Sequence, residues 1–303
     1  MSFLKLGKCE IEDTYAEAFD IWSSRILITA KNDKWALEAA NSAAGFATSI
    51  IFCPAEAGIE KTVGPKETPD SRPGVIVQIC HPSKKKLEEQ VLERVTQCML
   101  TCPTTSVFNA LSGGELTFDT GKKTKFFGDG FEAKGELAGR TIWHVPVMEG
   151  DFVIEENFGA KKGVGGGNML ILGKTLDATL EAAEAAIKAI HKVEGIITPF
   201  PGGICRSGSK VGSLKYAKFL KASTNHPFCP TLRGKTPDLK LPDDVQSVYE
   251  IVMDGVSLES IKNATIAGVK AAAAVNNVRR ITAANYGGTL GPHKIYLKDA
   301  VSK

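Results

Sequence analysis

The sequence predicts an α+β protein with two ferredoxin-like lobes, each a split β-α-β sheet with helices on one face, in an α/β sandwich that arises by internal duplication. Apolar runs typical of strands alternate four times with segments of helical period. These strand–helix–strand units occur twice in each half of the chain, which indicates a duplication. The connections between units are long and irregular, which favours the split arrangement over a doubly wound parallel sheet.

The first half supplies two of these units. The predicted elements, in order, are the strand Arg25 to Ala30, the helix Asp33 to Ala44 ended by Gly45, the strand Ala47 to Cys53, the strand Gly74 to Cys80 and the helix that Ser83 begins. The residues expected to face inward from these two helices recur at helical spacing and are Ala36, Ala39, Ala40, Ala43, Leu87, Val91 and Val95.

The second half repeats the pattern. Its predicted elements are the strand Asn168 to Leu172, the helix Thr175 to Lys192, the strand Ile196 to Thr198, the strand Ser247 to Met253, the helix that Ser257 begins and the strand Arg279 to Ala283. The inward positions of these helices are expected to be Leu180, Ala183, Ile187, Ile190, Ile261, Ala264, Ala271 and Val275.

A boundary between two domains is expected near Val145-Pro146, after the Gly- and Lys-rich stretch that ends at Gly139. The predicted lobes are therefore residues 1–145 and 146–303. A chain of 303 residues is long enough for two such cores.

Composition excludes several classes of function. The net charge of +3 and the absence of long basic blocks argue against a nucleic-acid partner. No apolar run approaches the roughly 20 residues of a membrane span, and the N-terminus lacks the apolar core of a signal peptide. Seven cysteines, an odd number, fit a reducing compartment. We therefore expect a cytoplasmic protein that binds neither nucleic acid nor membrane.

The most informative segment runs from Ile196 to Gly203 and is followed by Ser207-Gly208-Ser209-Lys210. An apolar run that meets two prolines and a Gly pair predicts a strand that ends in a rigid loop. Pro199, Phe200, Gly202 and Gly203 belong to this loop. Backbone N–H groups, the hydroxyls of the two serines and the Lys210 cation would suit an anionic, oxygen-rich small molecule.

One glycine-rich segment and two cysteine patterns do not predict a binding site. Gly163 to Gly167 precedes a strand instead of following one, so we interpret it as a flexible or close-approach loop and not as a dinucleotide-binding loop. Cys98 and Cys102 share a helical face, and Cys80-His81 stands alone. A zinc site typically needs two closely spaced pairs of Cys or His ligands, and neither pattern has a second such pair. No metal site is therefore predicted.

Carboxylates appear at two unusual places. Glu250 interrupts the apolar strand Ser247 to Met253, where a buried carboxyl group finds a partner or keeps its proton, which raises its pKa and makes it a potential acid. An exposed edge strand gives the same pattern. Glu56 and Glu60 are expected in a loop after the strand that ends at Cys53, where a solvated turn and a functional site are equally compatible with the sequence.

Two loops complete the candidates. Lys122, Lys123 and Lys125 lead into Phe126-Phe127-Gly128-Asp129-Gly130, which would hold an anionic ligand against aromatic faces, although a basic surface hairpin gives the same sequence. Asn285-Tyr286-Gly287-Gly288 is typical of a tight loop at a sheet end, and a simple turn also explains it.

Taken together, these segments resemble the formylmethanofuran:tetrahydromethanopterin formyltransferases. The resemblance covers nearly the whole chain. The segments that carry it are Ile11 to Phe19, Cys53 to Glu60, Leu100 to Thr105, Lys125 to Gly130, the Pro-Gly segment at Ile196 to Gly203, and Asn285 to Gly288.

The resemblance implies an enzyme of archaeal or methylotrophic one-carbon metabolism, including methanogenesis, that moves a formyl group between methanofuran and N5 of tetrahydromethanopterin. It implies no metal and no cofactor, because the two negatively charged carriers act as substrates. It also implies a homo-oligomer, usually a dimer of dimers, with a cleft between lobes and subunits.

The resemblance also implies roles for particular residues. Glu250 would be the acid/base, and Gln78 and His81 would contact the oxyanion or the amine. The residues expected to bind substrate are Glu56, Lys125, Phe127, Pro199, Phe200, Gly202, Gly203, Ser207, Ser209, Lys210 and Tyr249. A non-catalytic binding subunit of a larger formyltransferase/hydrolase complex is the alternative, and a ligand-sensing regulator of the same fold is a further one.

Overall fold

A computed structural model describes residues 2–302. Its strands are β1 (Phe3–Leu6), β2 (Cys9–Glu12), β3 (Tyr15–Thr29), β4 (Glu56–Val63), β5 (Gly74–His81), β6 (Ser106–Asn109), β7 (Leu116–Phe118), β8 (Ala133–Leu137), β9 (Arg140–Val147), β10 (Gly150–Glu155), β11 (Phe158–Gly173), β12 (Ile196–Ile197), β13 (Lys210–Val211), β14 (Ala222–Ser223), β15 (Ser247–Gly255), β16 (Val278–Thr282) and β17 (His293–Tyr296). Its α-helices are α1 (Asp33–Ala44), α2 (Lys84–Arg94), α3 (Thr120–Thr124), α4 (Leu176–Ile190), α5 (Leu258–Ala273) and α6 (Asp299–Ser302).

The chain divides into two compact units. We call Ile21–Gly163 the middle unit, and we call the residues up to Asp20 together with those from Val164 onward the terminal unit. The divisions fall inside β3 and β11. The sequence boundary at Val145-Pro146 lies within β9, and the lobes 1–145 and 146–303 stay a prediction.

The middle unit is built on a split β-α-β sheet. β3, α1, β4, β5, α2 and β6 follow one another along the chain, and the strands pair antiparallel in the order β4–β5–β3–β6. The returning strand of each β-α-β unit is thus separated from the first by one other strand, which is the ferredoxin-like arrangement. Beyond β6 the sheet continues through β10, β9 and β8.

The terminal unit repeats this order with other residues. β11, α4, β12, β15, α5 and β16 follow one another, and their strands pair antiparallel as β12–β15–β11–β16. β2 and β1 extend the sheet beyond β16. The α+β class, the split units and the internal duplication predicted from the sequence are therefore confirmed.

The same cap begins each of the four long helices. A side-chain oxygen just before the helix accepts a hydrogen bond from the backbone N–H three residues on, which satisfies one of the unpaired donors of the first turn. The capping residues are Asn32, Ser83, Thr175 and Ser257. The predicted starts of these helices are confirmed, as is the alanine face of α1, which is buried against the sheet of the middle unit.

Three details of the sequence prediction are wrong. Ala47 to Cys53 is not a strand, because the N–H groups of Phe52 and Cys53 both bond back to the Ser49 carbonyl and close a turn. In α4 the side chain of Leu180 is exposed, since the small residues Ala182 and Ala186 face the sheet instead.

The third correction concerns Gly163 to Gly167, which lies inside the long strand β11 and not in a loop. The pairing with β15 shifts register between Val164 and Gly167. Gly166 has a φ of +81°, and a Cβ there would lie 2.5 Å from the ring of Phe19. A glycine is needed at this bulge because the backbone approaches an aromatic ring closely.

Within residues 2–302 no helix is long and apolar enough to cross a membrane. All seven cysteines are free thiols.

Candidate active site

Glu250 lies inside the sheet of the terminal unit and not at its edge. Its backbone pairs with Leu170 of β11 on one side. On the other side its carbonyl accepts from the Cys205 N–H at 2.7 Å and its N–H donates to the Cys205 carbonyl at 3.2 Å. Only 1% of Glu250 is exposed. The edge-strand interpretation of the sequence is therefore wrong.

Ser209 contacts both oxygens of the Glu250 carboxyl group. Its N–H donates to Oε2 and its hydroxyl to Oε1, each at 2.6 Å. Burial raises the pKa of Glu250, and the two bonds from Ser209 offset only part of that effect. The carboxyl group therefore keeps its proton to a higher pH than an exposed glutamate does.

This raised pKa makes stability depend on pH. As the pH rises through the unfolded pKa of Glu, about 4.3, the folded protein keeps a proton that the unfolded chain loses, so the free energy of unfolding falls. We expect Glu250→Gln to gain Tm relative to the wild type as the pH rises above about 4, until the folded carboxyl group itself loses its proton. Melting curves at constant ionic strength measure the difference in Tm, and a difference independent of pH would contradict the expectation.

The Pro-Gly segment brings Ser209 to Glu250. Pro199 is buried, Phe200 is half-buried, and Pro201–Gly203 forms a short 3-10 turn after β12. Gly203 has a φ of +80°, and a Cβ there would lie 2.4 Å from Ile187. The predicted rigid, closely packed loop is therefore present, and it leads the chain back along β15.

Two cavities adjoin this loop. A small one of about 30 Å³ is lined by Glu250 together with Cys205 and Ser207. A larger one of about 680 Å³ is lined by Lys210, Tyr286 and other residues of the terminal unit. Both are also lined by Asn225, which places the larger cavity beside the buried carboxyl group.

Lys210 is held by residues that the sequence did not single out as site residues. Its Nζ lies 3.3 Å from Nδ1 of His226 and 3.4 Å from Oγ of Ser223. His226 Nε2 lies 2.6 Å from a carboxylate oxygen of Asp238. An Nε2–H that bonds to Asp238 leaves Nδ1 as the acceptor for Lys210. A histidine followed twelve residues later by an aspartate gives no local signal for this pairing.

The loop Asn285 to Gly288 is a turn with a buried anchor. The carboxylate of Glu17 accepts the backbone N–H groups of Tyr286, Gly288 and Leu290. Burial alone would raise the pKa of Glu17, but these three bonds outweigh it and the pKa is lowered. The sequence missed Glu17 because nothing local distinguishes it from an ordinary strand residue.

We expect Glu17→Gln to lower the free energy of unfolding by about 1–3 kcal/mol. The glutamine NH₂ group would face a backbone N–H that the carboxylate now accepts, and that N–H would lose its partner. Urea unfolding measures the loss. The exposed Glu181→Gln is the matched control and should change stability by less than about 0.5 kcal/mol. Equal losses in the two variants would contradict the anchoring role.

In the middle unit, the two glutamates expected in a loop lie on strand β4 and are buried. Glu56 accepts the Ile50 N–H at 2.9 Å. Glu60 binds Arg25 through two hydrogen bonds of 2.8 and 2.6 Å and accepts from Nε2 of Gln78 at 2.8 Å. The loop prediction is therefore wrong, because buried partners allow carboxylates to occupy a strand.

Gln78 and His81 belong to β5 of the middle unit. Gln78 is fully buried in mid-strand, and its Oε1 accepts from Ser23 at 3.2 Å. His81 ends the strand, and its Nδ1 accepts the Ser83 N–H at 2.8 Å. Burial, followed by the charge of Lys86, lowers the pKa of His81. The ring is therefore neutral at neutral pH, with Nε2–H as its donor.

The segment after Lys122 is helical and not a hairpin. α3 runs into a 3-10 turn over Lys125–Gly128. Nζ of Lys125 lies 4.0 Å from the ring centre of Trp143, and Phe127 is 55% exposed. This segment therefore presents a cation and an aromatic face, as the sequence predicted, on a different backbone.

The structure brings some of the predicted site residues together within one unit. Glu250, Ser209, Ser207, Lys210 and the Pro-Gly loop share the terminal unit. Tyr249 also lies there, but it packs against the helix-side core on the opposite face of β15 from Glu250. The residues Glu56, Gln78, His81, Lys125 and Phe127 belong to the middle unit.

The chain is thus an α+β protein with two ferredoxin-like units, and its terminal unit buries a glutamate of raised pKa against a serine. The family model described as formylmethanofuran-tetrahydromethanopterin formyltransferase matches residues 4–147, and the one described as FTR, proximal lobe matches residues 150–300. The chain therefore belongs to the formylmethanofuran–tetrahydromethanopterin formyltransferase family, which confirms the resemblance.

Individual relatives agree over nearly their whole length. The formylmethanofuran–tetrahydromethanopterin formyltransferase of Methanocaldococcus jannaschii is 56% identical over 98% of this chain and 99% of its own. The solved formyltransferase of Methanosarcina barkeri is 54% identical, with a TM-score of 0.95 over 98% of this chain and 100% of that one. A chain of the formyltransferase/hydrolase complex of Methylorubrum extorquens, solved with methylofuran, is 41% identical, with a TM-score of 0.94 over 100% of both chains.

Proposed function

We propose that this chain is an acyltransferase that moves a formyl group reversibly between formylmethanofuran and N5 of tetrahydromethanopterin. The similarity to formyltransferases spans both family regions and nearly the full length of each relative. In the structure, the observation that carries the proposal is the buried Glu250 carboxyl group, whose pKa is raised by burial and which is hydrogen-bonded to the half-buried Ser209 hydroxyl.

Formyl transfer between two nitrogens, in a ternary complex of both carriers, passes through a tetrahedral intermediate. One amine must lose a proton and the other must gain one. Glu250 is too buried to meet a substrate directly. When the carboxyl group carries its proton on Oε1, the hydrogen bond to Ser209 reverses: Oε1–H donates to Oγ, and Ser209 releases its own hydroxyl proton to the departing amine. The reverse movement takes up the proton of the attacking amine, so each cycle restores the neutral acid. Such transfer contributes about 10²–10⁴-fold in rate.

Glu250 also has a path by which it can exchange its proton with solvent. The cavity of about 30 Å³ beside it has the volume of roughly one water molecule. Its lining includes the Ser207 hydroxyl and the Asn225 amide, which provide polar partners for a water. Asn225 also lines the larger, open cavity. We take this sequence of polar groups as the route by which Glu250 exchanges its proton with solvent.

His81 and Gln78 remain proposed contacts for the oxyanion or the amine. The Nε2–H of a neutral His81 is a suitable oxyanion donor, and such a donor is worth about 10²–10³-fold in rate. Gln78 has a weaker case, since both ends of its amide are already bonded within the protein.

The direct test is a spectrophotometric assay of the purified protein with formylmethanofuran and tetrahydromethanopterin in the presence of EDTA. Formation of N5-formyl pterin supports the transferase and shows that the reaction needs no readily removed metal. Binding of both carriers without product would contradict the proposal and support a carrier-binding subunit of a larger complex. Self-association as a dimer of dimers is part of the same proposal, and light scattering of the purified protein tests it.

A further inference from the structure

The cavity of about 680 Å³ has a positive lining. Lys210, Lys240 and Arg280 contribute cations, against the single carboxylate of Glu12. Arg280 is neutralised by Glu10, which also belongs to the terminal unit, at 2.9 Å. In the described part of the chain, residues 2–302, neither lysine forms an ion pair with a carboxylate. The volume is typical of small-molecule sites. Because the lining carries more positive than negative charge, a ligand with an anionic group would complement it.

Lys210 is held in place before any ligand arrives. His226 and Ser223 accept hydrogen bonds from its ammonium group, and the bond to Asp238 orients the imidazole. Two of the three ammonium protons are used in this way, which leaves one for a ligand. A flexible surface lysine would lose rotamer freedom on binding, whereas Lys210 has already lost most of it.

Asn225 supplies an independent observation. The residue is 9% exposed and lines the cavity, yet its side-chain amide makes no hydrogen bond to another described residue. Water in the cavity can meet this amide when no ligand is bound, so a ligand that replaces that water must offer the amide a polar group of its own.

The remaining wall is apolar. Phe228, Leu241 and Pro242 line the cavity together with Lys210, Asn225 and Tyr286. The Tyr286 hydroxyl already accepts the Val211 N–H at 2.9 Å and still has its own proton to donate. The matching ligand has an anionic group attached to an apolar or aromatic body.

We propose that this cavity is an anion-binding subsite that takes a carboxylate or phosphate group of an organic ligand, with Lys210 and Asn225 as its anchors and His226 and Asp238 as positioning residues. Asn225 lines both this cavity and the small cavity beside Glu250, so an anion bound here holds its ligand near that carboxyl group. The ligand is then one of the two carriers, and this last step alone rests on the proposed function.

Inorganic phosphate is the probe for the subsite. Thermal melts with phosphate against chloride at equal ionic strength should show a rise in Tm of about 2 °C in the wild type. The rise should persist in Lys218→Met, which removes an exposed lysine outside the cavity, and disappear in Lys210→Met. General stabilisation by phosphate acts on all three proteins alike. An equal rise in all three proteins, or no rise in the wild type, overturns the subsite whether or not the protein is a transferase.

Asn225→Asp provides a second variant of the same shape that places a negative charge in the cavity, so it should also lose the phosphate response. His226→Ala should weaken the response, and His226→Asn should recover part of it, since the asparagine oxygen can replace Nδ1 as the acceptor. A structural role of His226 alone would lower the Tm in both buffers without changing the difference between them.

Kinetics then distinguish the source of the anion. If a carrier supplies it, Lys210→Met raises KM for that carrier about 10-fold or more with kcat nearly unchanged, because one charge-assisted hydrogen bond is lost. If a free anion is the natural ligand, KM for both carriers stays unchanged, and inhibition of the wild type by phosphate is lost in the variant. Unchanged KM together with unchanged phosphate inhibition contradicts both sources and the subsite.

Discussion

Glu250→Gln should lower kcat by about 10²–10⁴-fold while the protein stays folded and binds both carriers. Glutamine has the same shape, and its oxygen can accept the Ser209 N–H while its NH₂ group donates to the Ser209 hydroxyl. The substitution removes only the exchangeable acid proton. Steady-state kinetics with both carriers measure the change, and KM should stay within about threefold because no substrate contact is lost.

Ser209→Ala is the informative companion variant. It keeps the backbone N–H that bonds to Oε2 but removes the hydroxyl through which Glu250 acts. If the hydroxyl carries the proton, kcat should fall by at least about tenfold, the equivalent of one hydrogen bond of about 1.4 kcal/mol. The doubly substituted protein should be no slower than Glu250→Gln alone, since both residues serve one step. Near-normal turnover of Glu250→Gln would remove this carboxyl group from the mechanism.

The sequence was informative where structure follows from local pattern. The helices α1, α2, α4 and α5 begin after residues whose side chains cap them, and alanines at helical spacing mark the buried face of α1. Glu250 could be recognised for the same reason. A single charged residue within an apolar strand must be buried, paired or at an edge, so the sequence limited Glu250 to a few environments.

The failures arose where polar residues are buried through distant partners. The strand β4 begins at Glu56 and contains Glu60, and charged residues such as these are typical of a solvated loop. Arg25, which neutralises Glu60, lies 35 residues away in the chain. The apolar residues of Ala47 to Cys53 predicted a strand, although backbone hydrogen bonds to the Ser49 carbonyl close the segment into a turn.

The larger cavity also shows that sequence reasoning misses residues whose partners are distant in the chain. Lys210 was an evident candidate, but Asn225 and His226 belong to a segment with no periodic pattern. Their role depends on the position of the β13–β14 hairpin, which only the folded chain defines. Sequence reasoning therefore found the charged group of the site and missed the residues that orient it.

Arg25→Met should lower the free energy of unfolding by about 3–5 kcal/mol. The Arg25 and Glu60 side chains are only 13% and 1% exposed, and the guanidinium binds both carboxylate oxygens. Methionine fills a similar volume but removes the two guanidinium hydrogen bonds to the buried Glu60 carboxylate. Urea unfolding measures the loss. Lys85→Met, which removes an exposed pair with Glu89, is the matched control and should cost no more than about 0.5 kcal/mol.

The double variant Arg25→Met with Glu60→Gln separates stability from catalysis in this network. Neutralising both partners should recover part of the lost stability, since the carboxylate that loses the guanidinium is then removed as well. Gln78 would still meet an amide oxygen at residue 60, but the charge-assisted bond that fixes it would be gone. If Gln78 contacts the reacting groups, kcat of this stable variant should fall although folding has recovered. If kcat follows stability alone, Gln78 serves the core of the middle unit, and His81 is left as that unit's candidate donor to the oxyanion.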